Sequence, residues 1–331
     1  MTTGVDTRSS SATSTAVMLF DFLRRYAVWI AFALVVIFFS LFAERFATFN
    51  NALNVLSQGV ILTFLALALT LVITAGGIDL SVGVSFDFAA MAAVSLLVAD
   101  VPWPLAIGAG LAFGTAVGIF NAGVIVKVGI SPFLATLAML FIGESVQRIY
   151  TTGGEPIYVA VMEPAYRYIG GGKVAEGVPF SLLLAVGLAV IMFVLIERSV
   201  HGRRWRALGA QLEAARTAGI HIHRYAAASY ILGAFICSSA GIILSSSLSS
   251  YVPVSGTAYL LDAIGATFIG TAIDEEGRPN VLGTILGVLF LGVLANGLNL
   301  IGVSFYWQAV AKGVLIFGAL ALGTLNRRRH S

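Results

Sequence analysis

The sequence predicts an all-α, polytopic integral membrane protein with about ten transmembrane helices, some of them broken, and with both termini in the cytoplasm. Three observations predict it. The 331 residues are 58% hydrophobic and only 11% charged, with a mean hydropathy of +0.95, whereas soluble domains carry about 25% charged residues. Apolar segments near the roughly 20 residues needed to cross a bilayer recur along the whole chain. Basic residues gather between alternate segments, the pattern that orients membrane proteins. Together these exclude an ordinary soluble enzyme, and the mild basicity reports topology rather than a nucleic-acid partner.

In order, the apolar segments are 27–43, 58–75, 83–99, 104–126, 131–150, 179–197, 225–247, 257–273, 281–299 and 304–324. Pro102 and Pro104 separate the third from the fourth, and Gly129 to Pro132 the fourth from the fifth. Residues 1–20 have no apolar signal-peptide core and read as a disordered cytoplasmic tail. Residues 21–326 form one transmembrane domain, and 327–331 a basic cytoplasmic tail. Arg24 and Arg25 before the first segment orient the set. Alternation then places Lys127, the loops 198–224 and 274–280, and Arg327, Arg328 and Arg329 on the cytoplasmic side. Loop 198–224 carries six arginines against Glu213 alone. Loop 151–178, with Glu155, Glu163 and Glu176, falls outside, and Tyr158, Tyr166 and Tyr168 suggest order there, as a short strand pair or an aromatic anchor at the membrane face.

Between the second and third segments stands GGIDLSVG, with Gly76, Gly77, Asp79, Ser81 and Gly83. Lipid cannot satisfy freed backbone groups, so a break here must be lined by protein or a water-filled cavity. An ionisable residue at such depth points to function. Two roles suit Asp79: capping the next helix, or accepting hydrogen bonds from the hydroxyls of a polyol. A second glycine interruption at 270–283 is its candidate counterpart in the other half, although Asp274-Glu275-Glu276 also suits an ordinary cytoplasmic turn.

Four neutral amides fall within apolar segments: Asn121, Asn296, Asn299 and Gln308. Amides offer donors and acceptors without the desolvation cost of a charge, so they suit either a polar pathway or helix–helix adhesion. Asn296 and Asn299, at i and i+3, share a face. Lys312 needs a partner, for which Asp262 and Asp87 are the candidates, and Arg148 stands one turn from Glu144. Cys237 reads as a packed hydrophobe. The four histidines, His201, His221, His223 and His330, lie in basic segments and offer too few ligands for a zinc site. No Gly-x-x-x-x-Gly-Lys-Ser/Thr loop occurs, so any nucleotide-driven transport needs another chain. Residues 211–220 (QLEAARTAGI) read as a short helix bearing small residues and ended by Gly219.

Four segments carry a family resemblance: GGIDLSVG at 76–83, GIFNAGVIVKVGISPFLATL at 118–137, RALGAQLEAARTAGI at 206–220, and the stretch 259–313 containing Asn296-Gly297-Leu298-Asn299. Together they resemble the inner-membrane permease subunit of bacterial ABC importers for monosaccharides, of the ribose/xylose/galactose type. The resemblance implies import by alternating access, with partners that are a cytoplasmic cassette ATPase, a periplasmic or lipid-anchored sugar-binding protein, and a second permease copy in the bilayer. It implies no cofactor on this chain, with ATP and Mg held by the ATPase. It also makes residues 211–219 a coupling helix, with Gln211, Glu213, Ala214, Ala215, Arg216 and Gly219 meeting the ATPase. GTAIDEEGRPNVLG at 270–283, Asp87 and Glu144 depart from the family pattern. They leave open a nucleoside, a branched-chain amino acid or a signal sugar as cargo, and an ion-coupled carrier or a membrane enzyme are the readings from other classes.

Overall fold

The computed structural model describes residues 26–174, 177–274 and 276–327, with side chains through residue 318. Arg24, Arg25, Glu176, Glu275, Arg328, Arg329 and His330, with the 1–20 tail, lie outside the described residues.

Ten long helices coincide with the ten apolar segments. They are α1 (Ala27–Phe42), α2 (Phe49–Thr74), α3 (Val82–Val98), α4 (Trp103–Gly123, continued by a π-helical turn Val124–Val128) and α5 (Pro132–Tyr150). After the outer loop, with strand β1 (Ile157–Tyr158) and helix α6 (Pro164–Gly171), comes α7 (Phe180–Phe193, continued by a second π turn Val194–Arg198). Two short helices follow, α8 (Val200–Ala210) and α9 (Leu212–Thr217). The chain ends with α10 (Ile222–Leu248), strand β2 (Ser250–Tyr251), α11 (Ser255–Ile273), α12 (Val281–Leu300) and α13 (Phe305–Arg327). Six of these, α2, α4, α7, α10, α11 and α12, are long and apolar enough to cross a membrane, and α1 and α3 are shorter apolar helices.

Helix α2 is the centre of the fold. Leu65 to Leu69, with Leu71 and Val72, are buried on every side, as expected of a helix that is apolar all round and has no solvated face. It begins well before the apolar run, at Phe49, because Thr48 caps it, its hydroxyl accepting from the Asn51 N–H at 3.3 Å.

Around α2 the chain makes two like units running in opposite directions. In one, α2 leads through the glycine octet into α3 and back along α4. In the other, α10 leads through residues 249–254 into α11 and back along α12. Helices α2 and α10 lie antiparallel, with Val72 against Gly233 and Gly77 against Tyr230. Each returning pair closes on a glycine. A Cβ on Gly110 would lie 2.7 Å from the Ala89 carbonyl oxygen, and one on Gly287 2.1 Å from that of Ala266. This is the geometry of an inverted repeat.

Of the two readings of 270–283, the described residues fit the turn. Residues 274 and 276–280 lie between α11 and α12 outside both helices, and Gly270 and Gly283 are a helix-crossing contact, each glycine touching the other's backbone. The true counterpart is 249–254. The described part of loop 151–178 contributes a strand that pairs across the fold: β1 is antiparallel to β2, Ile157 opposite Tyr251. Helix α6 docks on α10 through Tyr166, whose hydroxyl lies 2.7 Å from Ser245 Oγ.

Candidate functional site

After Thr74 the chain runs without helical structure to Ser81 and rises between helices before α3 begins. Val84 packs on Gly143, which lies roughly 16 Å along α5 at 1.5 Å per residue. Helix α3 therefore starts beside the middle of α5. Helix α11 starts at the same level from the other side: a Cβ on Gly256 would lie 2.3 Å from the Gly83 carbonyl oxygen, and one on Gly83 2.7 Å from the Gly256 carbonyl carbon. Two helix N-termini thus meet in the middle of the fold, and only glycine lets them approach so closely.

The polar groups that the break frees are met by nearby side chains. Asp79 is 1% exposed. Its Oδ1 accepts from the Ser81 N–H at 2.8 Å and from the Ser81 hydroxyl at 2.7 Å. Asn121 on α4 donates to Ser81 Oγ at 2.6 Å, and Thr136 donates to the Ile78 carbonyl at 3.4 Å. Asp79 thus braces the turn ahead of α3 from within; it does not bond the first free N–H groups of that helix. The helix α11 terminus is capped from another element. Asp87 on α3 accepts from the Gly256 N–H at 3.0 Å and the Ser255 hydroxyl at 3.0 Å, so its carboxyl faces the positive end of the helix. Gln147 on α5 accepts from the Val254 N–H at 2.7 Å and the Tyr251 hydroxyl at 2.9 Å. Glu144 accepts from the Thr257 hydroxyl at 2.8 Å, so it braces α11 in place of the expected pair with Arg148.

The remaining amides fall elsewhere. Asn296 is buried and accepts from Asn51 Nδ2 at 2.9 Å, joining α12 to α2, while Asn299 is exposed near the end of α12. Gln308 donates to the Val303 carbonyl at 3.0 Å, a local contact. Neither Asn299 nor Gln308 joins the buried seam. Lys312 pairs with Asp262 at 2.5 Å, which settles its partner between the two candidates.

From the seam a continuous path leads to the basic face. Gly76 adopts φ +81° and meets Gly209 of α8, where a Cβ on either glycine would fall within 2.9 Å of the other's backbone. Helix α8 is fixed by Trp205, whose indole N–H donates to the Tyr225 carbonyl at 2.9 Å, and by Arg206, which pairs with Glu197. Glu197 also accepts from the Val281 N–H at 3.2 Å, tying α7 and α8 to the start of α12. Helix α9 follows directly after Gln211. Ala215 faces its own chain, while Ala214 and Ala218 are exposed. Glu213 and Arg216 pair at 3.2 Å on the outside, and Gly219 turns the chain at φ +76°.

The sequence reading missed Gly209, Gly256, Gln147 and Glu197. Pro253 after the serine-rich 245–250 stretch marked the second break; nothing marked the other three. Among the described residues no group of three or more His, Cys, Asp or Glu is placed to hold a metal.

A family model described as branched-chain amino acid transport system / permease component matches residues 51–320. The ribose import permease protein RbsC of Escherichia coli (strain K12) is 34% identical over 293 residues, covering 88% of this chain and 91% of that protein. RbsC of Bacillus subtilis (strain 168) is 35% identical over 300 residues, covering 91% and 92%. The galactose/methyl galactoside import permease protein MglC of Haemophilus influenzae is 27% identical over 328 residues, covering 93% and 96%. No solved structure matches the chain.

Proposed function

This chain belongs to the branched-chain amino acid transport system / permease component family, and from that premise we propose that it is the membrane-spanning subunit of an ABC importer for a monosaccharide. It is a multi-pass protein of the bacterial inner membrane. The cargo reading follows the relatives, whose names specify ribose and galactose import, in preference to the amino acids of the family description. All ten long helices are taken as spans, with both termini cytoplasmic. Residues 21–326 form the permease domain, carrying coupling loop 198–224 and external loop 151–178 between cytoplasmic tails 1–20 and 327–331. This chain holds no nucleotide; ATP and Mg belong to a partner ATPase.

The single observation that supports this mechanism best is the continuous path from α9 through Gly209 and Gly76 to the buried N-termini of α3 and α11. A helix exposed at the cytoplasmic face, rigidly joined to a break in the middle of the fold, can carry the motion of a docked ATPase into the centre of the membrane. Asp79, Ser81 and Asn121 are sealed by protein in one copy. The pathway therefore opens by displacement of the broken helices or runs between two copies, with a binding protein delivering sugar at the 151–178 face. A proton relay from Asp79 to Lys312 is disfavoured, since Asp79 bonds Ser81 and Lys312 bonds Asp262.

Replacement of Glu213 and Arg216 tests this reading. The double variant should insert normally yet lose sugar-stimulated ATPase activity in the assembled transporter. Undiminished stimulation would sink the coupling assignment.

A further inference from the structure

Between α8 and α10 lies a cavity of about 730 Å³ to which the proposed transport function assigns no ligand. Two helices present one face each to it. His201, Arg204 and Trp205 come from α8 at i, i+3 and i+4; Tyr225, Ala228 and Leu232 come from α10 at i, i+3 and i+7. Arg224 and His221 complete the cytoplasmic end. Among the described residues no carboxylate lines the cavity, and the nearby acids Glu197 and Glu213 are engaged by Arg206 and Arg216. Orientation by positive charge explains why arginines occur in this loop. It does not explain why two guanidiniums and two imidazoles converge on one concavity.

The cavity is built rather than incidental. Trp205 is buried and held by its bond to Tyr225. The Tyr225 hydroxyl accepts from Arg204 at 2.5 Å and lies 3.2 Å from His201 Nδ1, and the Arg204 guanidinium stands over the Tyr225 ring. Arg224 makes no side-chain hydrogen bond or ion pair among the described residues. The wall then turns apolar: Leu232 lies roughly 10 Å above Tyr225 along α10, with Leu195 beside it. A cationic end at the cytoplasmic boundary, continuous with an apolar wall rising into the membrane, matches one chemistry: a phosphate joined to an acyl chain.

We propose that this cavity binds the phosphate headgroup of an anionic glycerophospholipid of the cytoplasmic leaflet, and that the bound lipid steadies the turn ending α9. Ala218 and Gly219 of that turn form part of the lining. The binding half stands on the cavity alone, and the regulatory half rests on the coupling role of α9.

Native mass spectrometry of the full chain in mild detergent with added phosphatidylglycerol tests the binding half. Wild type should retain the lipid, Arg224→Gln should retain at least about tenfold less, and Arg224→Lys should retain most of it. Arg203→Gln, outside the lining, should bind as wild type. Equal loss in Arg203→Gln and Arg224→Gln would overturn the site in favour of diffuse charge. Inorganic phosphate adducts without lipid adducts, or displacement of lipid by millimolar phosphate, would overturn the lipid as source. Loss of the lipid on assembly with the ATPase would overturn the proposal by assigning the cavity to that partner. For the regulatory half, phosphatidylglycerol should raise the ATPase rate of the reconstituted complex over phosphatidylcholine alone, and Arg224→Gln should abolish the increase. A rate indifferent to the lipid while it remains bound would overturn regulation and leave both the binding site and the transport reading standing.

Discussion

The contact between Gly76 and Gly209 gives the sharpest quantitative prediction. A Cβ on Gly76 would lie 2.9 Å from the Gly209 Cα, and one on Gly209 would lie 2.4 Å from the Thr74 carbonyl oxygen. Backbone, unlike a side-chain tip, cannot rotate away. Gly209→Ala therefore incurs an overpacking penalty of about 1–3 kcal/mol. Gly76→Ala adds a left-handed conformation at φ +81°, which costs a side-chain-bearing residue roughly another 1–2 kcal/mol. The double variant should cost less than the sum, because the first substitution already parts α8 from the octet; the coupling should reach about 0.5–3 kcal/mol. Cys237 supplies the assay. It is the chain's one cysteine and is fully buried in α10, so a fluorogenic maleimide reports opening of the fold in detergent. At fixed temperature Gly76→Ala should raise the opened population by about 30-fold or more, from the lower end of its penalty. Wild-type labelling in both single variants, or strict additivity in the double, would refute the argument that the two backbones share one tight contact.

The other predictions use the same protein and readout. Asp87→Ala leaves the buried Gly256 N–H without its acceptor, at about 1–3 kcal/mol, and strips the half-buried Ser255 hydroxyl of its partner as well; Asp87→Asn, retaining one acceptor oxygen, should label more slowly than Asp87→Ala. Lys312→Met should destabilise by stranding Asp262, and Lys312→Met combined with Asp262→Leu should recover much of the loss, since removing both charges avoids leaving one uncompensated. Asn296→Leu should cost only about 0.6 kcal/mol, the mean for an intramembrane hydrogen bond, and leave the sugar uptake rate intact if Asn296 serves only to join α12 to α2; a large drop in uptake with unchanged stability would instead support Asn296 as a pathway residue.

Much of this architecture was legible because lipid restricts the chain so severely. Apolar length marked where each long helix lies, and unsatisfiable backbone marked the octet as a break enclosed by protein. The ends were less legible, since capping by Thr48 and the π turns after Gly123 and Phe193 depend on local geometry that hydropathy does not register. Asp79 reads from sequence as a cap or a ligand; in the structure its carboxylate bonds Ser81, which Asn121 of α4 holds in turn, a contact set by how α4 crosses the octet. The second break is hidden in the sequence for a related reason. Glycine abundance drew attention to 270–283, yet those glycines serve a helix crossing, whereas the true second break at 249–254 is signalled only by Pro253 and by Val254 at φ +61°. The contacts of Gly209 with Gly76 and of Gly256 with Gly83 are not legible in sequence, because a close backbone approach is a property of two segments, and neither segment alone reveals it.

The most direct test of the transport reading is uptake of labelled ribose and galactose by proteoliposomes holding the chain with its cassette ATPase and binding protein. Accumulation of a monosaccharide that requires ATP and persists when a protonophore collapses the proton gradient is the predicted result. Accumulation that needs no ATP and vanishes with the protonophore would contradict it.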